Sequence, residues 1–286
     1  MAREQVIWID ASGEELNLND WVNFYCPRNR TGIFAPPYTL TSTKLPLSEG
    51  SQYKSVTVGE RGVDLPILIK ASTREDLLLF LRAISFSLDP TRGEGQLKII
   101  NGTKTRILYC RPEGIKNIVD KGMIAEFTLG FTANDPYWYD ASSNSSTIEN
   151  ISTDIYNFFS DSFFPIRLIS STAYALRTLT NNGDVHTYPT WTITGPGDSI
   201  NLRNLTTGKN LSFDELTLEV GQVLEIDTRV GIKTIKVDGE NQFSKVQAFS
   251  SLWSLIPGDN DLVIQMANSS LDSSIQIEFT QRYLAP

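Results

Sequence analysis

The sequence predicts an all-β protein of two domains, with one helix in the first. Three observations carry that prediction. Aromatic and β-branched residues are plentiful and helix formers sparse, which favours pleated, half-buried strands. Turn-forming clusters recur at short intervals through the second half, the rhythm of a β-sandwich. Only one stretch repeats its apolar residues at helical spacing. A length of 286 residues favours two domains over one, and 40% hydrophobic with 20% charged residues is an ordinary globular mixture.

In chain order, Val6-Ile7-Trp8-Ile9 and Leu16-Asn17-Leu18 flank Ser12-Gly13 and predict an opening hairpin. From Pro27 to Gly50 the chain carries Pro27, Pro36, Pro37 and Pro46 without sustained periodicity, which predicts a long loop or arm. Loops of that length are either mobile or committed to a partner. Pro36, Pro37 and Tyr38 are the candidate arm across a neighbouring subunit. Leu65 to Lys70 reads as a strand with Pro66 near its start, where a missing N–H is tolerated. Ser72-Thr73-Arg74-Glu75 reads as a capping box with Ser72 as N-cap. Leu77, Leu81, Ile84 and Leu88 then form one apolar stripe, so a helix over about 73–88 covers a sheet, and Asp89-Pro90 and Gly93 end it. Asn101-Gly102 joins Gln96–Ile100 to Thr103–Cys110 as a hairpin. Ala125, Phe127, Leu129 and Phe131 alternate with polar or small residues, giving a strand with one apolar face.

That strand runs into Asn134-Asp135-Pro136-Tyr137-Trp138-Tyr139, the expected joint between domains. Pro136 removes a donor and holds Asp135 extended. Asp135, Pro136, Tyr137 and Trp138 are the candidate joint residues, the aromatics either wedging between the domains or capping one core. The expected boundaries are 1–137 for the first domain, 138–153 for a linker rich in Ser and Asn, and 154–286 for the second. Beyond the linker, turn signals at Asn181-Asn182-Gly183-Asp184, Gly195-Pro196-Gly197, Thr206-Thr207-Gly208-Lys209, Asp238-Gly239 and Pro257-Gly258 separate short strands such as Thr190–Ile193, Gln222–Ile226, Thr234–Val237, Leu262–Ile264 and Ile275–Phe279.

The net charge of -8 disfavours nucleic-acid and anionic-membrane partners, because a phosphate-binding face must supply cations. No run approaches the ~20 apolar residues of a membrane span. The N-terminus shows no signal-peptide core, so synthesis and folding in a cytoplasm are expected. Cys26 and Cys110 lie far apart and outside any CxxC pair, which points to buried free thiols. His186 is the only histidine, too few for a His-rich zinc site, and no nucleophile elbow, P-loop or GxGxxG is present. No catalytic, cofactor or metal residue is nominated. Of Trp8, Trp21, Trp138, Trp191 and Trp253, most are expected in cores.

Several segments in order resemble one family. They are Asn134-Asp135-Pro136-Tyr137-Trp138; Asn181-Asn182-Gly183-Asp184 followed by Tyr188-Pro189-Thr190-Trp191-Thr192-Ile193-Thr194-Gly195; Val220 to Thr228; Val237-Asp238-Gly239-Glu240-Asn241; and Leu255-Ile256-Pro257-Gly258-Asp259-Asn260. Together they resemble the distal tail proteins of long-tailed bacteriophages. The resemblance implies a non-enzymatic virion protein of the tail tip, assembled in the bacterial host cytoplasm. Its first domain would form a hexameric ring, and its second a galectin-like sandwich projecting outward. The implied partners are the tail tube protein, the tape-measure protein, the tail-tip hub and receptor-binding proteins, with no cofactor. In such a ring, an acidic wall would let DNA slide by repelling phosphate. A contractile tail or prophage-derived system is equally compatible. The alternative reading is a carbohydrate-binding module that recognises host glycans through the second domain.

Overall fold

The computed structural model describes residues 3–47, 49–141, 146–152, 173–270 and 272–286. Contacts divide the chain into two units, Met1–Ser142 with Tyr283–Pro286, and Ser143–Arg282. The expected linker lies partly outside the described residues, at 142–145 and 153, while 146–152 are paired as a strand.

The first unit contains β1 (Gln5–Ile9), β2 (Glu15–Asn17), β3 (Phe24–Tyr25), β4 (Tyr38–Thr43), β5 (Gln52–Val58), β6 (Arg61–Lys70), helix α1 (Arg74–Ser87), β7 (Gly95–Asn101), β8 (Lys104–Asp120), β9 (Ile124–Ala133) and β10 (Trp138–Asp140). Its sheet runs β2-β1-β7-β8-β9-β6-β3 and curls into a nearly closed barrel, with β10 paired to β8. The all-β class with one α-helix among the described residues is borne out. β8 makes the curl possible by serving two partners: 104–110 pair with β7, and 111–120 pair with β9. Irregular pairing at Pro112/Gly114 and Lys116/Val119 bends it within the second of these stretches.

Strict alternation along β6 and β9 places Val63, Leu65, Ile67, Ile69, Ala125, Phe127, Leu129 and Phe131 in one core. The helix stripe is confirmed, since Leu77, Ile84 and Leu88 are buried there and Leu81 packs against them. Trp8 donates its Nε1 to the Ser87 carbonyl at 3.1 Å, tying the helix end to β1. Gly95 is obligatory at this contact, because an added Cβ would lie 2.5 Å from the Trp8 ring.

Three local expectations need correction. The N-cap is Thr73, not Ser72: the Asp76 amide donates to Thr73 Oγ1, and Asp76 rather than Glu75 occupies the third helical position. Pro66 lies mid-strand, not near the start of its strand. The Asp64 amide bonds to the Thr31 carbonyl and the Lys70 amide to the Asn23 carbonyl, so even-numbered residues of β6 face away from β9. The missing donor of Pro66 therefore falls on that side, between Thr31 and the short β3, where no ladder bond is lost. Finally, the stretch from Pro27 to Gly50 is not wholly loop. β4 pairs with β5 in a separate two-stranded ribbon.

The second unit contains β11 (Ser146–Ser152), β12 (Ala173–Asn181), β13 (Thr190–Thr194), β14 (Gly197–Asn204), β15 (Lys209–Ser212), β16 (Thr217–Leu218), β17 (Val223–Asp227), β18 (Thr234–Val237), β19 (Glu240–Asn241), β20 (Gly258–Ala267) and β21 (Ser274–Thr280), and β22 (Arg282–Tyr283) follows. One sheet is ordered β11-β21-β13-β17-β18-β19 and the other β12-β20-β14-β15, with β16 on β14. Both contribute to a single core, including Ile193, Leu224, Ile226 and Ile277 from the first and Leu202, Leu211, Leu262 and Ile264 from the second. Trp191 meets Trp253 edge-on at 5.5 Å, and Trp253 Nε1 bonds to the Leu202 carbonyl.

Candidate functional site

A buried arginine organises the first unit around the residues singled out from the sequence. The register that sends Val63 to Ile69 inward also sends Arg61 inward, where it is fully buried. Its guanidinium donates to four carbonyls: Nε to Pro136 at 2.5 Å, Nη1 to Gly32 at 2.9 Å and Ile33 at 2.8 Å, and Nη2 to Leu284 at 2.9 Å. Desolvation lowers its pKa to about 10, which still leaves it charged at neutral pH. A charge held by carbonyl dipoles fixes geometry without needing a carboxylate. Here it holds together the segment leading to the ribbon, the Pro136 turn and the returning segment at Leu284. Nothing in the sequence reading nominated Arg61, although its parity with the apolar residues of β6 was a visible signal.

The candidate joint residues cluster beside it. Trp138 is fully buried in the first core, and its Nε1 donates to the Ile33 carbonyl at 3.1 Å. Asp135 accepts from the Tyr137 amide at 3.3 Å and from the Tyr139 hydroxyl at 2.5 Å. Tyr139 in turn meets Tyr109 edge-on at 5.3 Å. Gly32, beside Ile33, is irreplaceable on two counts: its φ is +73°, and a Cβ there would sit 1.8 Å from the Gly62 carbonyl oxygen.

Pro36, Pro37 and Tyr38 open the ribbon, and the Pro37 carbonyl accepts from the Gly59 amide at its far strand. Cross-strand pairs Tyr38–Val58, Leu40–Val56 and Ser42–Tyr53 place Tyr38, Leu40, Tyr53, Val56 and Val58 on one face. All five are exposed, Leu40 at 70%. The opposite face carries Thr39, Thr41, Ser55 and Thr57. A lone two-stranded ribbon is marginal in water, and an apolar face on it is a docking surface in waiting.

The cysteines, the histidine and the tryptophans take the structural places expected of most of them. Cys26 and Cys110 are buried free thiols, and burial pushes both pKa values up. His186 is exposed with Nδ1 3.2 Å from Ser254 Oγ, and no metal-holding cluster of His, Cys, Asp or Glu occurs among the described residues. Trp8, Trp138, Trp191 and Trp253 are core residues, whereas Trp21 stands 42% exposed.

Residues 182–283 match the family described as the siphovirus-type tail component, C-terminal domain. Over that stretch the chain carries the C-terminal domain of this tail-component family. Among solved structures, the distal tail protein Dit (gp 19.1) of phage SPP1 is similar over 99% of this chain and 100% of its own, with 16% identity and a TM-score of 0.69. That protein is described as a paradigm of the hub adsorption apparatus in phages infecting Gram-positive bacteria. At this identity the likeness shows the fold. Chains from the phage P2 baseplate in its activated conformation, with Ca and with Sr, share 10% identity over 97% of this chain and 98% of theirs, at TM-scores of 0.48 and 0.49. Comparison with curated proteins gives no match.

Proposed function

We propose that this protein is a distal tail protein that forms a hexameric hub, joining the tail tube to the tail-tip or baseplate apparatus and to receptor-binding proteins. The observation that carries the reading is the family match over residues 182–283 together with a fold shared along 99% of the chain with the SPP1 hub protein. The first unit is the ring-former in this reading. A closed ring needs heterologous surfaces, one donating and one receiving. The Pro36-Pro37-Tyr38 entry and the apolar ribbon face supply a donating strap, because they offer burial that the single subunit does not provide. The tail tube and tape-measure proteins would meet the ring, and receptor-binding proteins the periphery.

The joint role of Asp135, Pro136, Tyr137 and Trp138 belongs to the same proposal. Their carbonyl and side-chain bonds within the first unit give the chain a stiff exit towards the second domain at 154–286, whose galectin-like form follows from the resemblance. Light scattering on a sizing column tests the ring. The expected result is a species of about six subunits that Leu40→Ser with Val56→Ser converts to monomers of unchanged circular dichroism. A strict monomer at high concentration, with or without tail tube protein, overturns it.

A further inference from the structure

An open cleft of about 880 Å³ in the first unit is lined by Arg3, Glu4, Trp21, Tyr25, Arg28 and Arg30 among others. Its charge runs against the chain's. The protein carries a net charge of -8, yet three arginines meet one glutamate here, and that glutamate is already engaged. Arg30 is nearly buried and rigidly held: Nη2 bonds to Glu4 Oε2 at 2.8 Å and to the Cys26 carbonyl at 3.1 Å, and Nε bonds to the Pro27 carbonyl at 3.0 Å. Among the described residues no acceptor meets its Nη1. A guanidinium fixed by one edge and open at the other is ready to accept a carboxylate without further loss of rotamer freedom.

The aromatic half of the cleft is also fixed in place. Trp21 has φ +64°, in the left-handed region that bulky side chains rarely adopt. The Asp20 carboxylate enforces the turn by accepting from the amides of Val22, Asn23 and Phe24. The indole Nε1 bonds to the Glu4 carbonyl at 3.3 Å, and Tyr25 meets the ring edge-on at 6.3 Å. Arg3 lies over the indole at 5.4 Å. A strained backbone thus presents an exposed indole inside a ring of cations.

We propose that this cleft docks an acidic peptide segment of a partner protein, its carboxylates on Arg3, Arg28 and Arg30 and a flat apolar side chain on Trp21. The chemistry favours peptide over nucleic acid. A single-strand site needs a track of cations and successive stacking rings, and here one exposed indole sits within an otherwise acidic molecule. The proposal does not depend on the hub reading, because it needs only the first unit's own geometry.

The test uses the full chain and a fluorescently labelled peptide alternating Glu and Phe, followed by anisotropy, with a Lys/Phe peptide and an oligothymidylate as comparators. Saturable binding of the acidic peptide alone is expected, weakening as salt rises, with affinity falling about tenfold or more in Arg28→Glu and in Trp21→Ala. Arg28 is exposed, so its variant keeps the fold even if Trp21→Ala does not. A photo-crosslinking version of the peptide should label Arg3, Trp21 or their neighbours. The proposal is overturned by absent or non-saturable binding, by equal binding of the basic peptide, by tighter binding of oligothymidylate, by affinity unchanged in Arg28→Glu, or by crosslinks confined to other surfaces. It is equally overturned if Arg28→Glu alters the protein's own oligomeric state without affecting peptide affinity, which would make the cleft a contact between copies.

Discussion

Arg61 shows how much can rest on one side chain. Hydrogen bonds to charged groups contribute about 1.5–3 kcal/mol each, and removing the arginine would leave four carbonyls without their shared donor. Arg61→Met is expected to destabilise the first unit by about 3–5 kcal/mol, the scale for breaking a buried charged network, as read by thermal or denaturant unfolding. A loss below about 1 kcal/mol would mean that water replaces the guanidinium readily. At Asp10 the relevant variable is pH. Burial raises its pKa, but bonds from the Ser12 hydroxyl and the Ser12 and Glu14 amides, with Arg92 at 3.1 Å, outweigh it and hold the carboxyl below its ordinary value. A depressed carboxyl stabilises the fold above the unfolded-state pKa of about 4 and loses that contribution as pH falls through the folded value. Asp10→Asn should therefore reduce stability at neutral pH and shrink the gap to wild type as the pH is lowered below about 4. A constant gap across that range would remove the carboxylate from the account. Arg61 was within reach of the sequence, since its place in an inward-facing register could be counted. The four carbonyls it holds could not, because they come from segments brought together only by the fold.

At the scale of elements, legibility followed burial. The stripe of α1 and the alternation of β9 could be read because each presents one apolar face to a core. The cap slipped by one residue because Ser72 and Thr73 offer the same hydroxyl chemistry, and an acid follows each at the third position. The ribbon could not be read as paired strands, since its apolar residues contribute to no core of their own subunit and its remaining positions are mostly Thr and Ser. Leu77→Ala should cost about 2–5 kcal/mol, because a fully buried side chain leaves a cavity between helix and sheet. Gly32→Ala tests the root of the ribbon. With backbone oxygen in the place of the new methyl, a loss of about 3 kcal/mol or more in the first unit is expected, and an unchanged melting temperature would show that the root can shift.

Among the described residues there are two hydrophobic cores, one in each unit. Calorimetry should register the separation. Leu77→Ala should lower one transition and Leu262→Ala the other, whereas a single transition shifted equally by both would show that the units melt together. Trp138→Ala belongs at this scale too. If the aromatic serves only the first core, that unit alone loses about 3–5 kcal/mol. If it also stiffens the joint, protease cleavage between the units should accelerate at temperatures where both remain folded.

Residues Tyr283–Pro286 belong to the first unit, although the whole second unit is translated before them. Tyr283 lies against the Arg106 guanidinium at 3.8 Å, and Leu284 supplies the last acceptor for Arg61. On a ribosome adding roughly 5–20 residues per second, residues 1–142 wait on the order of ten seconds for residues 283–286. During that interval the nascent first unit lacks one acceptor for its central cation. A first unit without Leu284 lacks that acceptor, so its last internal contact forms only after residues 143–282 have been made.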